Sequence, residues 1–280
     1  MAIRTLSLVI TDEAGDAAAL RAAVEIAARE DAHVDLFCLG IEPVPLETVP
    51  MTATPMALEG WRLESRERAQ ALASWAQARI PPGVRARVEP VTAQSLGLAG
   101  ALARTARFSD LLLTGRPYGP NHDPLAPIVA EALLFGTAGP VLVVPDHDHV
   151  DWSHPFDRIC LAWNDGDEAL HAARAALPFL KAARVVDIAI VDPPLHAHDR
   201  ADPGGALCLW LARHGIHAEI AVLARTEPRV SDVLTRFAQE RGAEAMVLGA
   251  FGHSRLREAL LGGTTRGMLA TVPFPLLLAH

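Results

Sequence analysis

The chain contains one structural unit written twice, and a repeat of that length limits the folds open to it. In the first copy, Leu6-Ser7-Leu8-Val9-Ile10 runs into Thr11-Asp12, and an alanine-rich amphipathic stretch follows from Asp16 to Glu30. In the second, Arg158-Ile159-Cys160-Leu161-Ala162-Trp163 ends at Asn164, and a like stretch follows from Asp167 to Ala183. Asp35 to Pro43 is answered by Asp187 to Pro193, Asp110 to Gly115 by Ala245 to Gly249, and Pro140 to Pro145 by Pro275 to His280. The offset between copies shrinks along the chain. The first copy holds a longer proline-rich stretch, Pro43 to Gly60, which reads as a loop.

Each copy alternates strand and helix from start to finish. Its strands are short, nearly continuous apolar runs, the pattern of a parallel sheet covered by helices on both faces. Right-handed crossovers then make each half an open α/β sandwich. The expected fold is therefore α/β, with two tandem open parallel five-stranded sheets of Rossmann-like type. The first domain is expected over 1–146 and the second over 155–280. The polar, proline-bracketed segment between them, Pro145 to Pro155, reads as the linker.

Composition fits this and removes several functions. Half of the 280 residues are apolar and 21% are charged, which excludes a mainly disordered chain. A net charge of −8 opposes a nucleic-acid partner. No apolar run nears the roughly 20 residues of a membrane span, and Asp12 and Glu13 interrupt the first apolar run before it could serve as a secretory segment. Cys38, Cys160 and Cys208 are scattered without a CxxC, which fits reduced thiols and a cytoplasmic location.

The most informative segment follows the fourth strand of the second half. Val247-Leu248-Gly249-Ala250-Phe251-Gly252 leads, past His253 to Leu261, into Gly262-Gly263-Thr264-Thr265-Arg266, and a helix begins near Thr264 and stops before Pro273. Glycines let backbone approach a ligand closely, and amides at a helix start form an anion site. Thr264 and Thr265 can cap that helix or bond a phosphate; a glycine turn with an ordinary cap gives the same string. No G-x4-G-K-[ST] occurs, and no G-x-G-x-x-G follows the first strand of either half.

Gly249-x2-Gly252-x9-Gly262, between a strand and a helix, resembles the ATP-binding signature of the universal stress protein family, as does Ala162-Trp163-Asn164 ahead of an alanine-rich helix. The resemblance spans the chain and is closer in the second half; tandem forms occur in that family. It implies a strand order of 3-2-1-4-5 in each half, which sets the ligand crevice between strands one and four. It implies a nucleotide site of Ala162, Trp163, Asn164, Val191, Leu248, Gly249, Gly252, Gly262, Gly263, Thr264 and Thr265. Asn164 would face adenine or ribose, Val191 the adenine, and the glycine amides the ribose and phosphates. Two departures stand out: Gly263 replaces the Ser or Thr usual after the last glycine, and Asn164 replaces the usual Asp.

The first half departs further. Gly115 and Gly119 have three residues between them, and Pro120, Pro124 and Pro127 lack amide donors where a phosphate needs them, so this half reads as a structural copy. His147, His149 and His154 with Asp146 and Asp148, and His196-Ala197-His198-Asp199, have no fixed third ligand for a metal. Trp61 and Trp75 read as half-buried helix positions, and no G-x-S-x-G elbow is present. The expectation is a non-enzymatic, regulatory stress-response protein that binds ATP or another adenine nucleotide, with Mg2+ as an optional companion. The halves would pair as a pseudo-dimer through their last strands, and a further homodimer stays open. Its rivals are a nucleotide-independent interaction scaffold and a slow ATP-cleaving enzyme.

Overall fold

The computed structural model describes residues 3–42, 55–94, 97–119, 123–137, 139–147, 149–193, 202–250 and 263–280. The chain divides into two compact units, Ile3–Gly139 and Pro140–His280.

In the first unit, β1 (Thr5–Ile10), α1 (Ala17–Glu30), β2 (His33–Glu42), α2 (Pro55–Gln77), β3 (Arg85–Gln94), α3 (Leu98–Ala106), β4 (Leu111–Gly115) and α4 (Ala126–Gly136) alternate along the chain. β1 lies parallel between β2 and β4, and β3 lies parallel against β2, giving the order β3-β2-β1-β4. Every residue of β4 is buried, as in a strand covered on both faces. The helix side of this core is small: α1 buries Ala19, Ala22, Ala23 and Ala27 beside Leu20, Val24 and Ile26. Alanine serves twice here, as the best helix former and as a side chain short enough to let helix and sheet approach closely.

One expected loop is shorter than its proline content suggested. Of the stretch from Pro43 to Gly60, residues 43–54 lie outside the described residues, while α2 already begins at Pro55. The reason is positional: a first-turn proline costs no hydrogen bond, because that amide has no intrahelical acceptor.

The second unit holds β5 (Val141–Val144), β6 (Arg158–Ala162), α5 (Asp167–Ala175), α6 (Leu177–Ala182), β7 (Val185–Val191), α7 (Gly205–Arg213), β8 (Ala218–Leu223), α8 (Val230–Glu240), β9 (Ala245–Gly249), α9 (Thr264–Thr271) and β10 (Leu276–Ala279). β6 lies parallel between β7 and β9, β8 parallel to β7 and β10 parallel to β9. That is the 3-2-1-4-5 order. The expected pair of five-stranded sheets needs one correction. β5 runs antiparallel along β10, pairing Leu276 with Val143, Leu277 with Leu142 and Leu278 with Val141. Both strands are fully buried runs of Val and Leu that would otherwise leave open sheet edges, and mutual pairing removes both liabilities.

The polar segment read as a linker is also more firmly held than its composition implies. Trp152 is buried and meets Phe156 edge to face, with ring centroids 5.8 Å apart, and Phe156 stacks on Phe179 of α6 at 6.4 Å. His147 Nε2 lies 3.2 Å from the Pro273 carbonyl. Aromatic burial of this kind anchors a segment whose other residues are solvated.

Candidate functional site

In a doubly wound sheet the chain leaves neighbouring strands in opposite directions at one place, and a crevice opens outside their carboxyl ends. In the second unit that place lies between β6 and β9. A cavity of about 240 Å3 sits there. Its wall takes Ala162, Trp163 and Asn164 from the end of β6, Val191 from the end of β7, Leu248 and Gly249 from the end of β9, and Gly263, Thr264 and Thr265 from the start of α9. Gly252 and Gly262 lie outside the described residues. The sequence reading missed five lining residues: Glu168 and Ala169 on α5, Ala189 on β7, and Val230 and Leu234 on α8.

The local chain explains why these groups meet. β6 stops because Asn164 folds back on itself: its Oδ1 accepts the Gly166 amide at 3.1 Å, a local turn that competes with further strand. Asp165 then adopts φ 61°, and Asp192, one residue past Val191, adopts φ 46°. Aspartate tolerates this left-handed region better than most residues, so both strands leave the sheet abruptly at the crevice rim. The Trp163 amide still bonds the Ala189 carbonyl at 2.9 Å, which ties the Trp163 backbone to β7.

Gly249 has a purely steric reason to be glycine. A Cβ there would lie 2.5 Å from the Ala169 nitrogen and 2.6 Å from the Glu168 carbonyl carbon. The start of α5 thus packs directly on the end of β9, and the crevice floor is backbone against backbone. On the far side, α9 opens at Gly263 in extended conformation, with no side-chain cap and no acid in its first turn. Its positive dipole end is turned to the same cavity without a carboxylate on that turn to neutralise it. Thr264 is half-buried and Thr265 buried there.

Three kinds of surface therefore converge. Ala162, Ala189, Val191, Leu234 and Leu248 form an apolar slot. Asn164 and Glu168 supply polar side chains along one side, and Glu168 is the one ionisable group among the described lining residues. The amides of the α9 start lie along the other. The thiol of Cys160, buried within β6, is pushed far up by desolvation, with the Asp187 charge adding to it, which favours the protonated form.

The matching crevice of the first unit is arranged differently. Leu6 of β1 pairs with Leu111, as Ile159 of β6 pairs with Ala245. This register makes Thr11, and not Asp12, the counterpart of Asn164. Asp16 turns its buried carboxylate onto that strand end and accepts the Thr11 amide at 2.7 Å, the Asp12 amide at 3.1 Å and the Thr11 hydroxyl at 3.2 Å. Burial raises the Asp16 pKa to about 6 against the opposing pull of these hydrogen bonds. Arg68 of α2 donates to the Thr11 carbonyl at 2.9 Å and to Asp123 at 2.8 Å. The strand-end groups of this half are satisfied by its own side chains.

Among the described residues no group of three His, Cys, Asp or Glu is placed to hold a metal ion. His147 and His149 stack at 5.3 Å, and His154 bonds Asp151 at 3.1 Å; residues 148 and 196–199 lie outside the described residues. No helix among the described residues is long and apolar enough to cross a membrane. Trp61 and Trp75 are half-buried on α2, and Trp75 carries the Arg79 guanidinium over its ring at 4.5 Å.

Residues 155–280 match the Universal stress protein family. A universal stress protein from Archaeoglobus fulgidus has a similar fold over 98% of this chain and 95% of its own, at 15% identity and a TM-score of 0.68. A functionally unknown protein from Pseudomonas aeruginosa aligns over 99% of this chain and 92% of its own, at 22% identity and a TM-score of 0.54. No curated protein matches the sequence.

Proposed function

We propose that this chain, whose residues 155–280 belong to the universal stress protein family, binds ATP or another adenine nucleotide in its second half and acts as a regulatory sensor in a stress response. One observation carries the reading. The apolar slot at the carboxyl ends of β6, β7 and β9 faces the uncapped amino end of α9 across a single cavity. The donor set suits the ligand: aliphatic walls for a flat base, oxygen acceptors for sugar hydroxyls, and amides with a helix dipole for phosphate. The cavity, at about 240 Å3, lies just under the roughly 300–1,000 Å3 usual for small-molecule sites. That suits the nucleoside, with the phosphates leaving along the start of α9.

In this reading each wall residue has a role. Val191, Leu248 and Leu234 exclude water from the base. Asn164, with its Oδ1 engaged by the Gly166 amide, presents its amide nitrogen as a donor. Thr264 and Thr265 offer hydroxyls beside the α9 amides, filling the role of the hydroxyl residue that Gly263 displaces. Bound Mg2+ would offset polyphosphate charge. Glu168, the one ionisable group on the described wall, is read as an acceptor for the ligand, and the site as one for binding and not for turnover.

A scaffold that binds no nucleotide draws support from Gly249, whose glycine is required by α5 with or without a ligand. Isothermal titration calorimetry with ATP and Mg2+ separates the two. Saturable binding at or below millimolar ATP is expected, and its loss in Gly252→Val, with circular dichroism unchanged, supports the glycine segment as the phosphate loop. Absence of heat at millimolar ATP would leave the scaffold reading. Formation of AMP and pyrophosphate on incubation would make the protein an enzyme.

A further inference from the structure

Three helices begin at the cavity, α5, α8 and α9, and they differ in charge; α8 opens at Val230 with Asp232 in its first turn. The first turn of α5 carries Asp167 and Glu168, while that of α9 carries no acid. Glu168 is half-buried on the cavity wall. Among the described residues its carboxylate has no ion-pair or hydrogen-bond partner within the chain, so its acceptors are available to a ligand. Its position beside Asn164 is set by a shared neighbour. A Cβ built on Gly166 would lie 3.0 Å from Asn164 Oδ1 and 3.4 Å from Glu168 Oε2, so the two oxygens border the same point in space.

A carboxylate there repels phosphate and accepts from hydroxyl or amino donors. Both oxygens of an ionised carboxylate accept, which matches two adjacent hydroxyls on one ring face. We infer that Glu168 is the specificity-determining residue that receives the ribose cis-diol of the bound nucleotide, with the phosphate end directed to α9. This inference rests on the nucleotide reading of the site. It gives Glu168 two effects at once: selection of ribose over deoxyribose, and a fixed ligand direction. The phosphate is driven from the acidic α5 start to the acid-free α9 start.

The selection comes from desolvation. Filling the crevice strips water from Glu168, and a sugar lacking one hydroxyl leaves a carboxylate oxygen without a donor. Because Glu168 stays half-exposed, the discrimination is on the order of tenfold, well short of that of a sealed site.

The test is calorimetric titration of the full chain with ATP, 2′-deoxyATP and 3′-deoxyATP, each with Mg2+. Wild type is expected to bind each deoxy analogue about tenfold more weakly than ATP. Glu168→Ala should bind ATP with the ribose-to-deoxyribose ratio reduced to near one. Glu168→Gln keeps the shape of the helix start, leaves one good acceptor, and should give an intermediate ratio. Adenosine 3′-phosphate should bind more weakly than the 5′-phosphate in wild type and recover in Glu168→Gln. A wild-type ratio of one, or an unchanged ratio in Glu168→Ala, overturns this inference and leaves the nucleotide site standing. Failure of wild type to bind any of these nucleotides removes the nucleotide site itself, and this inference with it.

Discussion

At the end of β1, the Thr11 and Asp12 amides turn onto the Asp16 carboxylate. At the end of β6, the corresponding backbone faces a cavity. The two places are the same place in the repeat. A Cβ on Gly115 would meet the Gly15 carbonyl oxygen, and one on Gly249 would meet the Glu168 carbonyl oxygen, each at 2.9 Å. Gly15 therefore matches Glu168, and Asp16 matches Ala169. A carboxylate in one half and a methyl in the other stand on the same helix turn. The first occupies its crevice and satisfies the strand end internally; the second is too short to reach across and lines an open wall. Duplicated backbone need not mean duplicated function, because one side chain can serve as the permanent occupant of a crevice.

The glycines that end the fourth strands offer the largest effect. Gly249→Val forces a Cβ to within 2.5 Å of the Ala169 nitrogen and 2.6 Å of the Glu168 carbon, backbone atoms that no rotamer change can move. We expect a loss of ~3 kcal/mol or more, or failure to fold. Gly115→Ala adds a single methyl that meets the Gly15 oxygen at 2.9 Å and an Asp16 oxygen at 3.2 Å, and should lose about 1 kcal/mol. Urea unfolding without nucleotide measures both. Equal losses would mean that the two helix starts do not pack on their strands to different depths.

Next comes pH. The Asp16 pKa is raised to about 6 in the folded chain from an ordinary 3.8, so between those values the folded state holds a proton that the unfolded state has released. Stability contributed by this group is present below the unfolded value and lost as pH rises through about 6, by up to about 3 kcal/mol. In Asp16→Asn that fall between pH 4 and 7 should vanish from the unfolding midpoints, since the amide oxygen still accepts one strand-end donor and nothing titrates. An unchanged profile would place the slope on other groups. Nothing comparable is expected from the second half, where Ala169 replaces the acid.

Much of this contrast was hidden in the sequence. The parallel strands and their ends were legible, because apolar runs of three to five residues stop at or just before Asn164, Gly115 and Gly249. The start of α9 was legible too, from Thr264 after paired glycines. Asp16 was not: an Asp ahead of a helix reads as a cap, and only the register shows its carboxylate turned onto β1. Thr11 carries no mark in the sequence either, and only the strand register makes it the counterpart of Asn164. Gly249 was assigned to a ligand when its first obligation is to Ala169. Glu168 left no mark, since an acid in a first helical turn is ordinary dipole chemistry. Pairing of β5 with β10 joins segments far apart in sequence and has no local signal; the family resemblance alone points to it. Trp152 in a polar stretch was the one clue that the linker is anchored.

The third prediction sharpens the open side. Thr264→Val removes a hydroxyl from the α9 start while keeping its volume. ATP affinity should fall about five- to tenfold, about 1 kcal/mol, with unfolding unchanged because Gly263 and not Thr264 occupies the cap position. Calorimetry with ATP and Mg2+ reads it. An unchanged dissociation constant would move the phosphates away from this helix end.

The smallest effect tests how firmly the first crevice is closed. Arg68 bonds the Thr11 carbonyl at 2.9 Å and Asp123 at 2.8 Å, yet its side chain is 52% exposed. A pair so open to solvent contributes little, and methionine keeps most of the apolar stem, so Arg68→Met should lower stability by less than about 1 kcal/mol. Its value lies in the second readout. If Arg68 kept nucleotide out, its removal would expose the Thr11 carbonyl and free space beside β1. Asp16, however, still holds the Thr11 and Asp12 amides from the other side, and its charge repels phosphate. In a Gly252→Val background, where the second half is expected to be silent, Arg68→Met should therefore give no heat with ATP. A binding isotherm in that double variant would show that Arg68 guards the first crevice, and that Asp16 is a ligand in waiting and not its permanent occupant.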